Sequence, residues 1–181
     1  MLFFNKPKLI IYLKRNSLEV YKGSEKTADV TYPFGAVRHL EIMDVDAFEK
    51  FIFGIFPQGN RGGQKITLVL SSDMVFQKVF PHNPAEEQRQ IQNFLEKIPF
   101  DPTQLEIKKI ANEKDLAVVA ITKNLYLPVK RILEKIGFTV ETVVPASVLG
   151  NVTQDTPLNQ KDIWQKVNDS KIITTANFLR S

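Results

Sequence analysis

Residues 8–14 read Lys-Leu-Ile-Ile-Tyr-Leu-Lys, apolar on both alternating faces. A strand of that kind must be covered on two sides, so it is expected between layers. Arg15, Asn16 and Ser17 supply a turn, and residues 18–22 then alternate, with Leu18 and Val20 on one face and Glu19 and Tyr21 on the other. The two segments predict a β-hairpin. A third strand is expected over 28–32, after the Gly23 and Ser24 turn.

Helical spacing begins after Asp44, a good N-cap, with Val45, Phe48, Phe51, Ile52 and Ile55 recurring on one face until Pro57. A glycine-rich loop over 59–63 leads to a second doubly apolar strand over 66–70. Ser71, Ser72 and Asp73 turn the chain, and residues 75–80 alternate, with Phe76 and Phe80 flanking Lys78 on one side. Asn83, Pro84 and Glu86 together predict a helix start, whose stripe would be Ile91, Phe94, Leu95 and Ile98, ended by Pro99 and Pro102.

Strands are expected over 105–110 and 116–121, the latter buried. A helix from about Lys123 carries Leu125, Val129, Ile132, Leu133 and Ile136, with Gly137 as its C-terminal cap. Pro128 inside that pattern predicts a kink or a delayed start. Residues 138–144 return to strand. From 151 onward Thr, Gln, Asp, Asn and Pro dominate, which predicts a polar linker or a loosely docked tail, with one short helix over 162–167 around Trp164. The organisation expected is thus an initial hairpin sheet over 1–44, an inserted small α/β subdomain over 45–112, a return to the first subdomain over 113–150, and the tail over 151–181.

Composition narrows the chemistry. The chain has 181 residues, 43% hydrophobic and 24% charged, ordinary for one or two small globular domains. It contains no cysteine, which excludes disulfides and thiolate-based metal sites. Its histidines, His39 and His82, fall in no metal-ligand spacing. The net charge is +4, with Lys and Arg interspersed among acids, so the charge reads as a solvated surface and nucleic acid is not an expected partner. No apolar run approaches the ~20 residues that span a bilayer. The apolar start Met1 to Phe4 is followed by Asn5, Lys6 and Lys8, too early for a signal-peptide core, so a soluble cytoplasmic protein is expected.

No motif calls for catalysis. Residues 59–65 place glycines before a lysine, but that loop leaves a helix for a strand and Ile66 follows Lys65, the reverse of a phosphate-binding loop. His82 stands between Pro81 and Pro84 with no nucleophile placed beside it, which suits a solvent-facing turn. Asp44 and Asp46, like Glu86 and Glu87, are explained as acids in a first helical turn. Ile98, Pro99, Phe100, Asp101 and Pro102 hold an aromatic in an extended connection, so that Phe100 is either an exposed interaction site or a plug in the core beneath.

The order of these elements resembles the first half of the actin-like proteins of type IV pilus assembly, the PilM-like family. The cytoplasmic domains of type II secretion L proteins and the division protein FtsA are similar relatives. The residues that carry the resemblance are Leu68-Val-Leu-Ser-Ser-Asp73, Val75-Phe-Gln-Lys-Val79, Ile98-Pro-Phe-Asp-Pro102, Val118-Val-Ala-Ile-Thr-Lys123, Gly137-Phe-Thr-Val140 and Val144-Pro-Ala146. Together they span 9–149. The fold class implied is α/β (α+β), half of an actin-like, ribonuclease H-like fold with mixed sheets, packed helices and an inserted small subdomain.

In actin-like ATPases the first hairpin turn carries an Asp-x-Gly pattern. Here that turn is Lys14-Arg15-Asn16-Ser17, without the acid or the glycine. Because the chain ends at Ser181, before a second half, the resemblance implies a halved relative with no cofactor, no metal and no catalysis. It further implies a bacterial scaffold at the inner face of the cytoplasmic membrane, with protein partners of a pilus or secretion platform. Membrane association would come through a partner or a downstream segment, and homo-oligomers could form. PilM-like proteins hold a short peptide of a membrane partner in a groove between their first two subdomains. That groove would lie between the hairpin sheet and residues 45–110, and the partner-binding residues expected are Phe53, Phe56, Ile98, Phe100, Lys14 and Arg15. The alternative is an actin-like nucleotide-binding protein that completes its ATP site with another chain, using Lys14 and Arg15 on phosphate.

Overall fold

The doubly apolar strands settle the architecture, because each needs two covering layers. A computed structural model describes residues 8–57, 63–111, 113–150, 152–153 and 155–180. The expected loop over 59–63 lies, but for Gly63, outside the described residues. The strand β1 (Leu9–Leu13) pairs antiparallel with β2 (Ser17–Lys22), which pairs with β3 (Glu25–Thr31). On its other side β1 runs parallel to β6 (Lys65–Leu70), and β6 parallel to β10 (Thr139–Pro145). Between β3 and β6 the chain forms a small ladder of β4 (Val37–Arg38) and β5 (Glu41–Ile42), then α1 (Val45–Ile55). The sheet order is β10-β6-β1-β2-β3.

One face of this sheet, with Leu9, Ile11, Leu13, Ile66, Leu68 and Leu70, is buried with Phe48 and Ile52 of α1 and with Val129 and Leu133 of α3 (Lys123–Lys135). Asp44 caps α1 as expected, its side chain accepting from Ala47 N at 2.9 Å. At the other end of α3, Phe138 N reaches Leu133 O at 3.0 Å with Gly137 at φ +93°, a left-handed closure that favours glycine. The helix starts at Lys123 and includes Pro128, so the proline does not delay it.

The opposite face corrects the expectation of a linker or loosely docked tail. Ile10, Tyr12, Tyr21, Val69 and Val144 pack in one cluster with Val152, Leu158, with Ile163 and Val167 of α4 (Lys161–Asn168), and with Ile173 and Ala176 of α5 (Ser170–Ala176). The helix around Trp164 is present. The tail is core because β1 leaves a second apolar face that nothing earlier in the chain covers, and burying each large apolar side chain there contributes about 1.5–3 kcal/mol.

A second sheet, ordered β7-β9-β8, comprises β7 (Phe76–Pro81), β9 (Asp115–Thr122) and β8 (Leu105–Ala111). One face meets α2 (Glu87–Leu95), where Phe80, Leu116 and Val118 pack with Ile91 and Phe94. The helix begins later than Asn83 because residues 83–86 form a turn, with Ala85 N on Asn83 Oδ1 and Glu86 N on Asn83 O. It also ends before Ile98. The sheets divide the chain differently from the expected boundaries at 45 and 112. β6 belongs to the larger sheet because its register is parallel to β1, and β9 belongs to the smaller one because it pairs along its length with β7 and β8.

Candidate partner-binding cleft

In β7 the period of two sends Phe76 and Phe80 toward α2 and leaves Gln77 and Val79 on the opposite face. The register places Val79 beside Ala117 and Ala117 beside Ile110. One step along, Gln77 stands beside Val119 and Val119 beside Lys108. Val79, Ala117, Ile110 and Val119 thus form an apolar floor. α5 approaches this floor with Lys171, Ile172, Thr175 and Ala176, and the turn after β10 adds Ser147 and Val148. Between them lies a cleft of about 660 Å³. It opens on the β7 side, where Gln77, Lys78 and Val79 are three consecutive exposed residues and Val79 is 63% exposed.

The wall formed by α5 is fixed by the chain that follows it. Asn177 Oδ1 accepts from Val143 N at 2.9 Å, its Nδ2 donates to Glu141 O at 3.0 Å, and Phe178 N donates to Val143 O at 2.9 Å. These bonds satisfy the outer border of β10.

The first hairpin bend is a separate place. Lys14 N closes it on Ser17 O at 2.9 Å, and none of its residues has a positive φ. Lys14 Nζ lies 2.8 Å from the buried Glu19, which also receives Lys26 at 3.4 Å and the Tyr21 hydroxyl. Burial, followed by the Glu19 hydrogen bond, pushes the Tyr21 phenol well above its ordinary range. Burial also raises Tyr12, with the fields of Asp73, Glu19 and Asp155 adding to it. Arg15 is exposed and lines a polar cleft of about 580 Å³ with Asn16, Arg38, His39 and Asp73. His82 lies elsewhere, half-buried where β7 ends, so the two histidines are not brought together. Among the described residues no group of three or more His, Asp or Glu side chains could hold a metal, and no helix is long and apolar enough to cross a membrane.

The six expected partner residues are not brought together. Lys14 and Arg15 stay at the hairpin bend. Phe53 is 39% exposed on the outer side of α1, whereas Phe56 packs edge-on against Phe138, ring centres 5.0 Å apart. Ile98 is buried, and Phe100 packs against Phe76 at 5.8 Å, so the proline-bounded aromatic plugs the smaller sheet. The cleft residues Val79, Ile110, Val119 and Ile172 carried one signal in the sequence. β9 is apolar on both faces, so the smaller sheet needed a second neighbour besides α2.

No family model and no curated protein matches the chain. Among solved structures, a chain of the PilM–PilN type IV pilus biogenesis complex superposes with a TM-score of 0.51 and 14% identity, over 80% of this chain and 48% of that one. This chain shares its fold. The α/β class expected from the sequence, mixed sheets with packed helices and a small second sheet, is the class observed. Two further structures match more loosely. The cytoplasmic domain of EpsL, an inner membrane component of the type II secretion system of Vibrio cholerae, gives a TM-score of 0.48 at 14% identity, covering 81% of this chain and 60% of that one. A Bacteroides thetaiotaomicron protein with actin-like ATPase fold and unknown function gives 0.47 at 8%, covering 82% and 56%. The chain thus spans roughly half to three fifths of the length of the structures it matches.

Proposed function

We propose that this chain is a non-catalytic scaffold of a type IV pilus or type II secretion-like assembly platform, and that it holds a segment of a partner protein in the cleft beneath Val79. The observation that carries the reading is the apolar floor of Val79, Ala117, Ile110 and Val119, which stays open to solvent at Val79. Two or three apolar partner side chains buried there would each contribute about 1.5–3 kcal/mol before ordering costs. The likeness to a chain from a two-protein pilus complex supports a partner-holding role. The absence of catalysis belongs to the proposal: Lys14 is committed to Glu19, and the bend offers Arg15 and Asn16 where an ATP-holding turn carries an acid and a glycine. The scaffold would work at the inner face of the cytoplasmic membrane, reached through its partner or a downstream segment.

The test is a pull-down from native membranes with the chain and its Val79→Asp variant, the recovered proteins being identified by mass spectrometry. Pilus or secretion components should appear with the first and be lost with the second. Recovery of no such component, or equal recovery by both, overturns the proposal.

A further inference from the structure

The loop between β3 and β4 sets an aromatic ring in solvent. Ala36 N closes a turn on Pro33 O at 3.0 Å, with Gly35 at φ +78°, the left-handed third position that such a turn gives to glycine. Ala36 is buried, which pins the turn, and Phe34 at its tip is left 99% exposed. Met43, more than half exposed, is tied to the same turn by its N–H on Ala36 O at 2.9 Å. The Arg38 guanidinium lies 5.5 Å from the centre of the Phe34 ring and makes no ion pair among the described residues. Ring and cation thus project together from a fixed turn, and aromatic and arginine side chains are the ones that dominate protein contacts.

A groove of complementary chemistry lies beside α2. The helix turns the stripe Ile91, Gln92, Leu95 and Glu96 toward it, and Pro84, Pro102 and Lys109 of β8 complete a space of about 730 Å³. At its start, Glu87 is paired with Lys109 at 2.8 Å. At its end, Glu96 caps α2 and accepts from the Gln92 amide at 3.1 Å. No basic residue stands in the last turn of the helix, and among the described residues neither Glu96 nor the adjacent Lys97 forms an ion pair. The carbonyls of a helix C-terminus are themselves negative, so this end of the groove lacks a cation. The cleft beneath Val79 offers Phe34 and Arg38 no such match, because no carboxylate lines it and Lys171 would repel the guanidinium.

We infer that the chain associates with a second copy of itself, Phe34 of one copy seating on Ile91 and Leu95 of the other and Arg38 meeting Glu96 there. The contact is heterologous: turn and groove are different surfaces, so a variant spoiled in one still offers the other. It is also small, which makes the association weak and concentration-dependent. The inference goes beyond the partner-holding role and does not depend on the cleft beneath Val79.

The test is sedimentation of the full chain at rising concentration, up to about 1 mM. The parent's average mass should climb above that of one chain. Phe34→Asp and Gln92→Arg/Glu96→Arg should each weaken the association about tenfold, whereas an equimolar mixture of the two should associate, because the intact groove of the first accepts the intact turn of the second. Adding Arg38→Glu to Gln92→Arg/Glu96→Arg should restore self-association. Phe34, Arg38, Gln92 and Glu96 are all exposed, and circular dichroism verifies that each variant is folded. A parent that stays monomeric throughout, Phe34→Asp associating as strongly as the parent, or a mixture no heavier than its two components overturns the inference. Val79→Asp should associate as the parent does; loss of association in that variant would move the contact to the cleft and overturn the inference as well.

Discussion

Asn177 completes the border of β10 with its side chain, accepting from Val143 N and donating to Glu141 O, so one carboxamide does the work of a neighbouring strand. Asn177→Leu removes both bonds and strands a buried amide, at a cost of about 1–3 kcal/mol. The melting temperature should fall by roughly 4–8 °C, and because α5 immediately precedes Asn177, amides of α5 should exchange hydrogen faster than those of β1. Unchanged protection in α5 would show that its packing alone holds it.

Phe100 separates a structural from a binding role. It is half-buried against Phe76 and beside Ile98, so Phe100→Ala should cost about 2 kcal/mol in denaturant unfolding while recovery of partner protein from membranes stays unchanged. A variant of parental stability that had lost its partners would return Phe100 to the interaction surface.

The chain's four tyrosines, Tyr12, Tyr21, Tyr32 and Tyr126, all have hydroxyls raised above the ordinary range, burial being the first cause in each. In the unfolded chain they ionise near pH ~10. A raised folded value gives stability that is fully present below that pH and is lost as pH rises beyond it. Ultraviolet titration should therefore show little tyrosinate at about pH 10 in the folded protein, and then a cooperative rise that coincides with loss of the far-ultraviolet signal. Gradual ionisation of a folded chain near that pH would contradict the burial.

Calorimetry with ATP and magnesium should show no saturable heat, because Lys14 is held on Glu19 and Arg15 has no acid or glycine beside it in the bend. Saturable binding, lost in Arg15→Ala, would favour an actin-like nucleotide site.

Much of this molecule is legible in residue pattern because the pattern reflects burial. Leu9 to Leu13 announced a strand between layers, Asp44 and Gly137 marked helix ends, and the alternation around Phe76 and Phe80 gave the face that meets α2. The tail was misread by composition. Its apolar residues are sparse, but Ile163 and Val167 are one helical turn apart, and spacing decides what a short helix can bury. Sheet membership was hidden for a different reason: whether β6 joins β1 or β7 depends on long-range pairing, which no local window contains. The cleft was hidden similarly, since Val79 and Ile172 meet only after the tail has folded back.

The sealing of β10 leaves the larger sheet asymmetric. Asn177 and Phe178 occupy one flank, and among the described residues β3 is the flank that remains unpaired. If two molecules joined by continuing this sheet, each would consume its single vacant side on the other, and the merged ten-stranded array would have no place for a third. Growth by that route halts at a pair, so any longer polymer of this protein has to be built through other surfaces.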